Sequence, residues 1–261
     1  MAGRGSNWPL PWIRRALGDR FVVLAISIVF RGCAVSVAWK VLKAEEKHAW
    51  KPEWLALLKQ FKELLPAGWM VIVLANRGLY AKWLFEAIVD MKWHPFLRVN
   101  SQGSFRPEGW YHWKPFSDLV PSKGKRWQGR GIAFGGKKTQ LNCTLLGYWG
   151  ENHEDPWLIL TDLAPECADA CWYGLRAWIE QGFKHSKRSG WQWQHTRMDD
   201  PARAERLWMA IAIVGGCCRL AAKLKLKPIR RWILQSLRFP GRRVCAEHAG
   251  EWSVFFRTVG L

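Results

Sequence analysis

Four side chains that bind charged groups follow one another at helical spacing in the last third of the chain. Tyr173, Arg176, Glu180 and Lys187 stand at offsets of 0, 3, 7 and 14 residues, so an α-helix would place all four on nearly one face. A phenol and two cations can bind anions, whereas a carboxylate can bind a cation. The alternative interpretation is a solvated helix side with ion pairs between residues four apart.

The composition favours a folded protein with an anionic partner. The 261 residues are 49% hydrophobic and include 20 Trp, which is enough to build a core without disulfides or metal. The 40 Lys and Arg residues exceed the 21 Asp and Glu residues and leave a net charge of +19. This excess predicts a polyanionic partner, and nucleic acid fits better than an acidic small molecule. We therefore expect no small-molecule substrate.

No segment of the sequence predicts export or membrane insertion. The longest apolar runs, 21–30 and 207–218, are shorter than the roughly 20 residues that span a bilayer. The basic N-terminus lacks the apolar stretch and cleavage site of a secretory signal. Seven Cys residues without a Cys-x-x-Cys spacing favour reduced thiols over disulfides or a zinc site. These features predict a cytoplasmic protein, associated with the nucleoid if its partner is DNA.

Hydrophobic periodicity predicts an α/β protein with an interruption. Two apolar runs around Arg31-Gly32 predict a β-hairpin, and Met70 to Leu74 has the unbroken pattern of a buried strand. Trp157 to Leu160 is a further strand, and Asp162 after it is a turn acid or a neighbour of the site. Helical spacing marks four stretches: 50–65, 79–91, 166–185 and 201–224, the last preceded by the capping residues Asp199 and Asp200.

These patterns divide the chain into five segments. The short alternating pieces, many Gly and Trp, and scattered basic residues of 93–156 predict a β-rich insertion. The segments in order are an irregular Gly- and Pro-containing arm at 1–18, a first core part at 19–92, the insertion at 93–156, a second core part at 157–224 and a poorly periodic basic tail at 225–261.

The spacing of Tyr173, Arg176, Glu180 and Lys187 resembles the signature around the third acid in a large group of bacterial insertion-sequence transposases, the DDE enzymes with an RNase H-like core. The resemblance covers roughly residues 19–214 and implies a mixed sheet with flanking helices and an inserted β-rich subdomain. The chain is similar to this family also at Arg31-Gly32-Cys33-Ala34, Val37-Ala38-Trp39, Arg77-Gly78-Leu79-Tyr80, Gly190-Trp191-Gln192-Trp193, Thr196-Arg197-Met198 and Arg203-Ala204-Glu205-Arg206-Leu207-Trp208.

The resemblance implies a reaction and its residues. Such enzymes cut and join DNA at transposon ends, with two Mg²⁺ or Mn²⁺ ions held by three carboxylates. Glu180 is then the third acid, and Asn76 occupies the position of the second; both are the candidate catalytic and metal-ligand positions. DNA contacts are assigned to Tyr173, Arg176, Lys184, Lys187, Arg188, Trp191, Trp193 and Arg197. For the two tryptophans the alternative is core packing.

The chain departs from the family at the first two acids. An amide at Asn76 keeps one carbonyl oxygen but removes the negative charge that Mg²⁺ prefers; alternatively, Asn76 only fills a turn or caps a helix. The stretch that matches the first acid, 8–16, contains no Asp or Glu. Asp19 is the nearest carboxylate, and it either supports the turn or replaces the missing ligand. Only Glu180 of the three acids is identifiable, so we expect impaired catalysis.

The stretch 8–16 also lacks the character of a buried central strand, because it contains two prolines and the pair Arg14-Arg15. The family places its first core strand here, between the hairpin and the strand ending at Leu74. We therefore expect this strand to be missing, as in a transposase truncated at its N-terminus.

Three hypotheses follow from these observations. The chain is a transposase or a fragment of one, with strand cleavage and joining impaired. Alternatively, it is a non-catalytic DNA-binding remnant that interferes with an intact relative, by occupying transposon ends as a homodimer or in mixed dimers. The third hypothesis is a decaying fragment that folds poorly, which a thermal melt distinguishes from a cooperatively folded protein.

Overall fold

The first five strands form a mixed sheet around a central strand. The computed structural model describes residues 7–17, 20–30, 33–44, 50–65, 68–181 and 197–223. The order in the sheet is β3-β2-β1-β4-β5, with β1 parallel to β4 and antiparallel to β2, and β4 parallel to β5. The five strands are β1 (Asn7–Leu17), β2 (Phe21–Phe30), β3 (Cys33–Lys43), β4 (Met70–Ala75) and β5 (His94–Arg98).

The presence of β1 corrects two expectations, the irregular arm at 1–18 and the missing first core strand. β1 lies between the hairpin and β4, the place that the resemblance assigns to the first core strand. Its register explains why two prolines are tolerated there. β2 pairs only with Trp12 to Leu17, so Pro9 and Pro11 precede that ladder. Because they are two positions apart, their missing N–H groups lie on one edge of the strand, and the other edge remains free to pair with β4.

Five more strands continue the same sheet beyond β5, in the order β10-β9-β8-β6-β7. The β-rich, inserted character of this region is confirmed, but its predicted start at residue 93 is too early. β5 pairs with β4 and belongs to the core, so the insertion begins after Arg98. The added strands are β6 (Ser104–Pro107), β7 (Lys114–Pro115), β8 (Arg126–Ala133), β9 (Leu141–Tyr148) and β10 (Trp157–Thr161).

Helices cover both faces of the core sheet. α1 (Lys51–Leu64) and α2 (Lys82–Asp90) pack on one face through residues that include Leu58 and Phe85. A short α3 (Phe116–Leu119) lies in the insertion. α4 (Pro201–Lys223) packs on the opposite face of the hairpin. In the described ranges, no helix is both long and apolar enough to cross a membrane.

The sequence predicts the start of α4 correctly but not the type of helix in the 166–185 range. Asp200 caps α4 as predicted, because its carboxylate accepts the N–H groups of Ala202 at 3.0 Å and Arg203 at 3.2 Å. By contrast, 166–176 is not α-helical: it forms the 3₁₀ segments Pro165–Cys167 and Ala170–Arg176, and the α-helical residues that the structure describes in this range are 177–181. Asp169 starts the second segment by accepting the N–H of Cys171 at 2.8 Å.

Burial predicts that substitutions of two leucines in α1 have very different effects on stability. Leu58 is fully buried, whereas Leu64 is 74% exposed. We expect Leu58→Ala to lower the free energy of unfolding by about 2–5 kcal/mol, because it leaves a cavity under the sheet. Leu64→Ala should change it by less than about 0.5 kcal/mol. Urea unfolding measures both free energies, provided that their slope against urea concentration is the same in the variants as in the wild-type protein. Equal effects, or a transition without cooperativity, would support the decaying fragment instead.

Candidate functional site

Asn76 lies where β4 ends, on the face of the sheet that the 165–181 segment covers. Ile72 and Leu74 point to that face and pack with Tyr173, and Asn76 is two residues further along the chain. A 3₁₀ turn, Arg77–Leu79, follows immediately. The Oδ1 atom of Asn76 is buried and has no hydrogen-bond partner among the described residues. Asn76 is therefore a polar group held at the end of a central strand, as predicted.

Arg98 is the neighbour of Asn76 on the next strand. The β4–β5 ladder pairs Leu74 with Phe96 and ends with the pair Ala75–Leu97; continued by one residue, this register would put Asn76 next to Arg98 on the same face. An Nη atom of Arg98 donates to the carbonyl of Pro156 at 3.2 Å. Its Nε is buried without a partner among the described residues. Burial lowers the pKa of this guanidinium, and Tyr173 opposes the effect.

Tyr173 connects Arg98 to the third-acid segment. The guanidinium carbon of Arg98 lies 6.0 Å from the centre of the Tyr173 ring, which packs edge-on against Trp157 at 5.4 Å. Tyr173 is only 3% exposed, and its hydroxyl has no hydrogen-bond partner among the described residues. Burial raises the pKa of this phenol, while Arg176 and Arg98 pull it down. A buried phenol thus lies next to a half-buried cation.

Glu180 is engaged by an arginine one turn before it. An Nη atom of Arg176 donates to Oε1 of Glu180 at 2.7 Å, and the two side chains are 12% and 41% exposed. This is the i, i+4 ion pair that the solvated-helix interpretation predicted, but Arg176 is mostly buried. Its Nε has no partner among the described residues. The carboxylate at the third-acid position is therefore already neutralised by a guanidinium.

β1 contacts both parts of the site. Its backbone approaches the turn Arg77–Leu79 and the 3₁₀ segment Ala170–Arg176. The parallel ladder pairs Trp12 with Ala75, so Ile13 is level with Asn76. None of the 11 residues of β1 is an Asp or Glu. The strand at the place expected for the first acid therefore contains no carboxylate.

Sequence reasoning missed Arg98 and Asp155. Arg98 is assigned no role by the signature spacing, and its only signal is a cation directly after an apolar strand. Asp155 lies in the loop before β10 and pairs with Arg77 at 2.9 Å, so it brings a carboxylate near the site that is already bound to a cation. No local pattern marks Asp155, because its position depends on the pairing of β10 with β5.

The remaining sequence-predicted residues lie elsewhere. Asp162 contacts the Nδ1 atom of His94 at 3.0 Å. His94 pairs with Ile72, so this pair is four residues, roughly 13 Å, along the strand from Arg98. Asp162 is therefore not part of the Asn76 site. Arg197 is exposed. Asp19, Lys184, Lys187, Arg188, Trp191 and Trp193 lie outside the described residues.

Comparison with known proteins agrees with this architecture. The sequence profile of the family described as "Transposase DDE domain" matches residues 20–214, well over half of the chain. The chain belongs to the family of transposase DDE domains. The hairpin, β4, β5, the insertion and the Glu180 segment lie within this matched region, whereas β1 precedes it. A comparison with curated protein sequences finds no match.

A solved structure shares the fold of this DDE domain. The cryo-EM structure of the piggyBac transposase synaptic complex with hairpin DNA superposes with a TM-score of 0.51 at 10% sequence identity. The superposition covers 92% of this chain and 55% of the piggyBac chain. The chain thus spans little more than half the length of that protein, and the likeness is one of fold alone.

The residues of the site do not fit the two-metal chemistry of the family. Divalent metal catalysis needs several hard, anionic oxygen ligands around one point. Here β1 supplies no carboxylate, Asn76 supplies an amide, and Glu180 is bound to Arg176. Arg98 adds a half-buried cation that repels a metal ion. Across the described ranges, no group of three His, Cys, Asp or Glu side chains converges on one point.

The side chains of the site predict that the protein has no saturable binding of a divalent metal ion. Titration of the protein with Mn²⁺, followed by calorimetry at neutral pH, should give only the weak heat expected of scattered surface carboxylates, because no cluster of anionic ligands exists in the described part of the chain. The matched variants are Glu180→Gln and Glu166→Gln, the latter changing an exposed glutamate away from the site. Stoichiometric binding that Glu180→Gln abolishes and Glu166→Gln preserves would contradict this assignment.

Proposed function

We propose that this DDE-domain protein binds DNA ends and does not cut or join them. The observation that carries the proposal is the composition of the site: β1 has no Asp or Glu, position 76 is an amide, and Arg98 adds a cation where metal chemistry needs carboxylates. The DNA-binding half of the family's chemistry needs only cations and hydrogen-bond donors, which this site retains. The catalytic half needs at least two further acids, and the described residues supply neither.

Charge on the rest of the chain supports binding to a long polyanion. The net charge is +19, far more than one anion site requires. On β8, Arg126 and Arg130 are exposed and four residues apart, so they point to the same face of the sheet. That face is also the face on which Asn76 is expected, because Tyr148, the partner of Arg126 on β9, packs in the same cluster as Ile72 and Leu74. A basic surface thus runs from the site across the insertion.

The insertion also contains a cleft. It has a volume of about 490 Å³, and Arg106 and Arg130 line it together with Trp110, which is 51% exposed. Exposed arginines and an exposed indole are the groups that contact phosphates and stack on bases. This supports a second contact region for DNA on the insertion. The piggyBac complex that shares the fold contains hairpin DNA, which agrees with a DNA role for the fold.

A DNA end held without cleavage has a regulatory consequence. A protein that occupies the ends of an element excludes the active enzyme from the same ends. The protein would then act as a competitor of an intact relative, alone or in a mixed dimer. Its effect would depend on affinity and concentration, and not on turnover.

Binding should be electrostatic, independent of metal and without cleavage. The logarithm of the association constant for a duplex end should fall linearly with the logarithm of salt concentration, in EDTA as well as in Mg²⁺ at equal ionic strength. Arg130→Gln should reduce the slope by about 0.9 if that side chain meets a phosphate. Lys62→Gln removes an equal charge from α1 on the other face of the sheet and should leave the slope unchanged. Fluorescence anisotropy measures each constant.

Two outcomes would overturn this proposal. Affinity that does not change with salt would exclude a phosphate-contacting surface. Strand nicking in Mg²⁺ or Mn²⁺ that Glu180→Gln abolishes would make the protein an active transposase. Denaturing gels of a labelled duplex with the wild-type protein and with Glu180→Gln give that result directly.

A further inference from the structure

Three buried donors in the site have no acceptor. These are the Nε atoms of Arg98 and Arg176 and the hydroxyl of Tyr173, none of which has a hydrogen-bond partner among the described residues. Tyr173 is 3% exposed, and the side chain of Arg176 is 12% exposed. Unpaired buried donors are costly, and unpaired buried cations more so. A cluster of such groups therefore marks the place of a missing acceptor.

The carboxylates near the cluster do not provide this acceptor. Asp155 is bound to Arg77 at 2.9 Å, and its only effect on Arg98 is at a distance. Glu180 takes one Nη of Arg176 at 2.7 Å and leaves the Nε of that guanidinium free. Arg98 donates to the carbonyl of Pro156 and interacts with the hydroxyl of Tyr173, and neither of these groups is an anionic acceptor. The missing acceptor is thus a group from outside the described residues, and it must be anionic to balance Arg98.

Asn76 determines whether the site prefers a cation or an anion. A carboxylate at this position would lie beside Arg98 and neutralise it, whereas the amide leaves the positive charge uncompensated. Rotation of the amide exchanges its oxygen and NH₂ group, so Asn76 can also donate to an anion. An Asn in place of an acid therefore does more than weaken the binding of a metal ion. It leaves a site that prefers an anion.

We propose that this site binds a phosphate group directly, with Arg98, Arg176, Tyr173 and Asn76 as its ligands and no metal ion between them. Guanidinium groups match the geometry of phosphate oxygens through parallel N–H donors. A terminal phosphate monoester is the best ligand, because it has more negative charge and more free oxygens than a phosphodiester. On the proposed function, this is the 5′-phosphate of a DNA end, and the exposed arginines of β8 hold the adjoining duplex.

The test compares duplex ends that differ only in one phosphate. In EDTA, the wild-type protein should bind a 5′-phosphorylated duplex at least about tenfold more tightly than the same duplex with a 5′-hydroxyl. Arg98→Gln should reduce this ratio to about one, because the main counter-charge is gone. Asn76→Asp should do the same by repulsion and by pairing with Arg98, and it preserves the size of the side chain. Arg130→Gln is the matched control, and it should lower both affinities equally.

Inorganic phosphate provides a readout without DNA. In EDTA, phosphate should raise the melting temperature of the wild-type protein and of Arg130→Gln, but not that of Asn76→Asp or Arg98→Gln. Sulfate at equal ionic strength controls for salt. Circular dichroism shows whether each variant is folded. If Arg98→Gln does not fold, the result for Asn76→Asp decides whether the phosphate site exists.

The outcomes separate this inference from the proposed function. Equal affinity of the wild-type protein for both duplexes, with binding retained, would refute the phosphate site and leave DNA binding intact. Stabilisation by phosphate in the wild type alone, without binding to either duplex, would confirm the phosphate site and refute the proposed function. A phosphate preference that appears only with Mg²⁺, or that Asn76→Asp strengthens, would show that a metal ion is part of the site.

Discussion

The site depends on the register of the parallel ladder between β4 and β5. Pairing of Ala75 with Leu97 puts Asn76 and Arg98 next to each other at the same edge of the sheet. A slip of one residue would turn Arg98 to the opposite face, towards α1 and α2, where a charge has no place. The register is fixed by burial on both faces, since Leu74 and Phe96 pack under the Tyr173 segment while Val73 and Leu97 pack against the helices. Hydrophobic burial thus positions a charged pair.

Within that frame, the chain preserves the DDE scaffold and changes the charge of its centre. The hairpin and the Glu180 segment lie within the residues that the family profile matches, and β1, which precedes that region, lies between β2 and β4. β1 carries no Asp or Glu, position 76 is an Asn, and Glu180 is paired with Arg176. A scaffold that in relatives concentrates negative charge for metal ions here concentrates positive charge. DNA is the ligand that suits both arrangements, because its phosphates can bind through metal ions or to arginines directly.

Much of the fold could be predicted from the sequence, since strong periodicity is local information. The hairpin, α1, β4 and α4 lie where their patterns place them, and Asp200 caps α4 as its position suggested. β1 could not be predicted, because two prolines argue against a strand until the register shows that β2 pairs only beyond them. The 3₁₀ form of 170–176 was missed, and Asp169 caps its first turn. The signature identified Tyr173, Arg176 and Glu180, but Arg98 belongs to the site only through strand pairing, which no local spacing encodes.

The most direct test of the central claim is a crystal structure of the protein with a 5′-phosphorylated duplex end, grown in Mn²⁺ and measured at a wavelength where manganese scatters anomalously. We expect the terminal phosphate to lie against Arg98, Arg176 and Tyr173, with no anomalous peak between Asn76 and Glu180. An anomalous peak at that position, coordinated by Glu180 and bridging to the DNA, would contradict a metal-free phosphate site and restore the two-metal chemistry of the family.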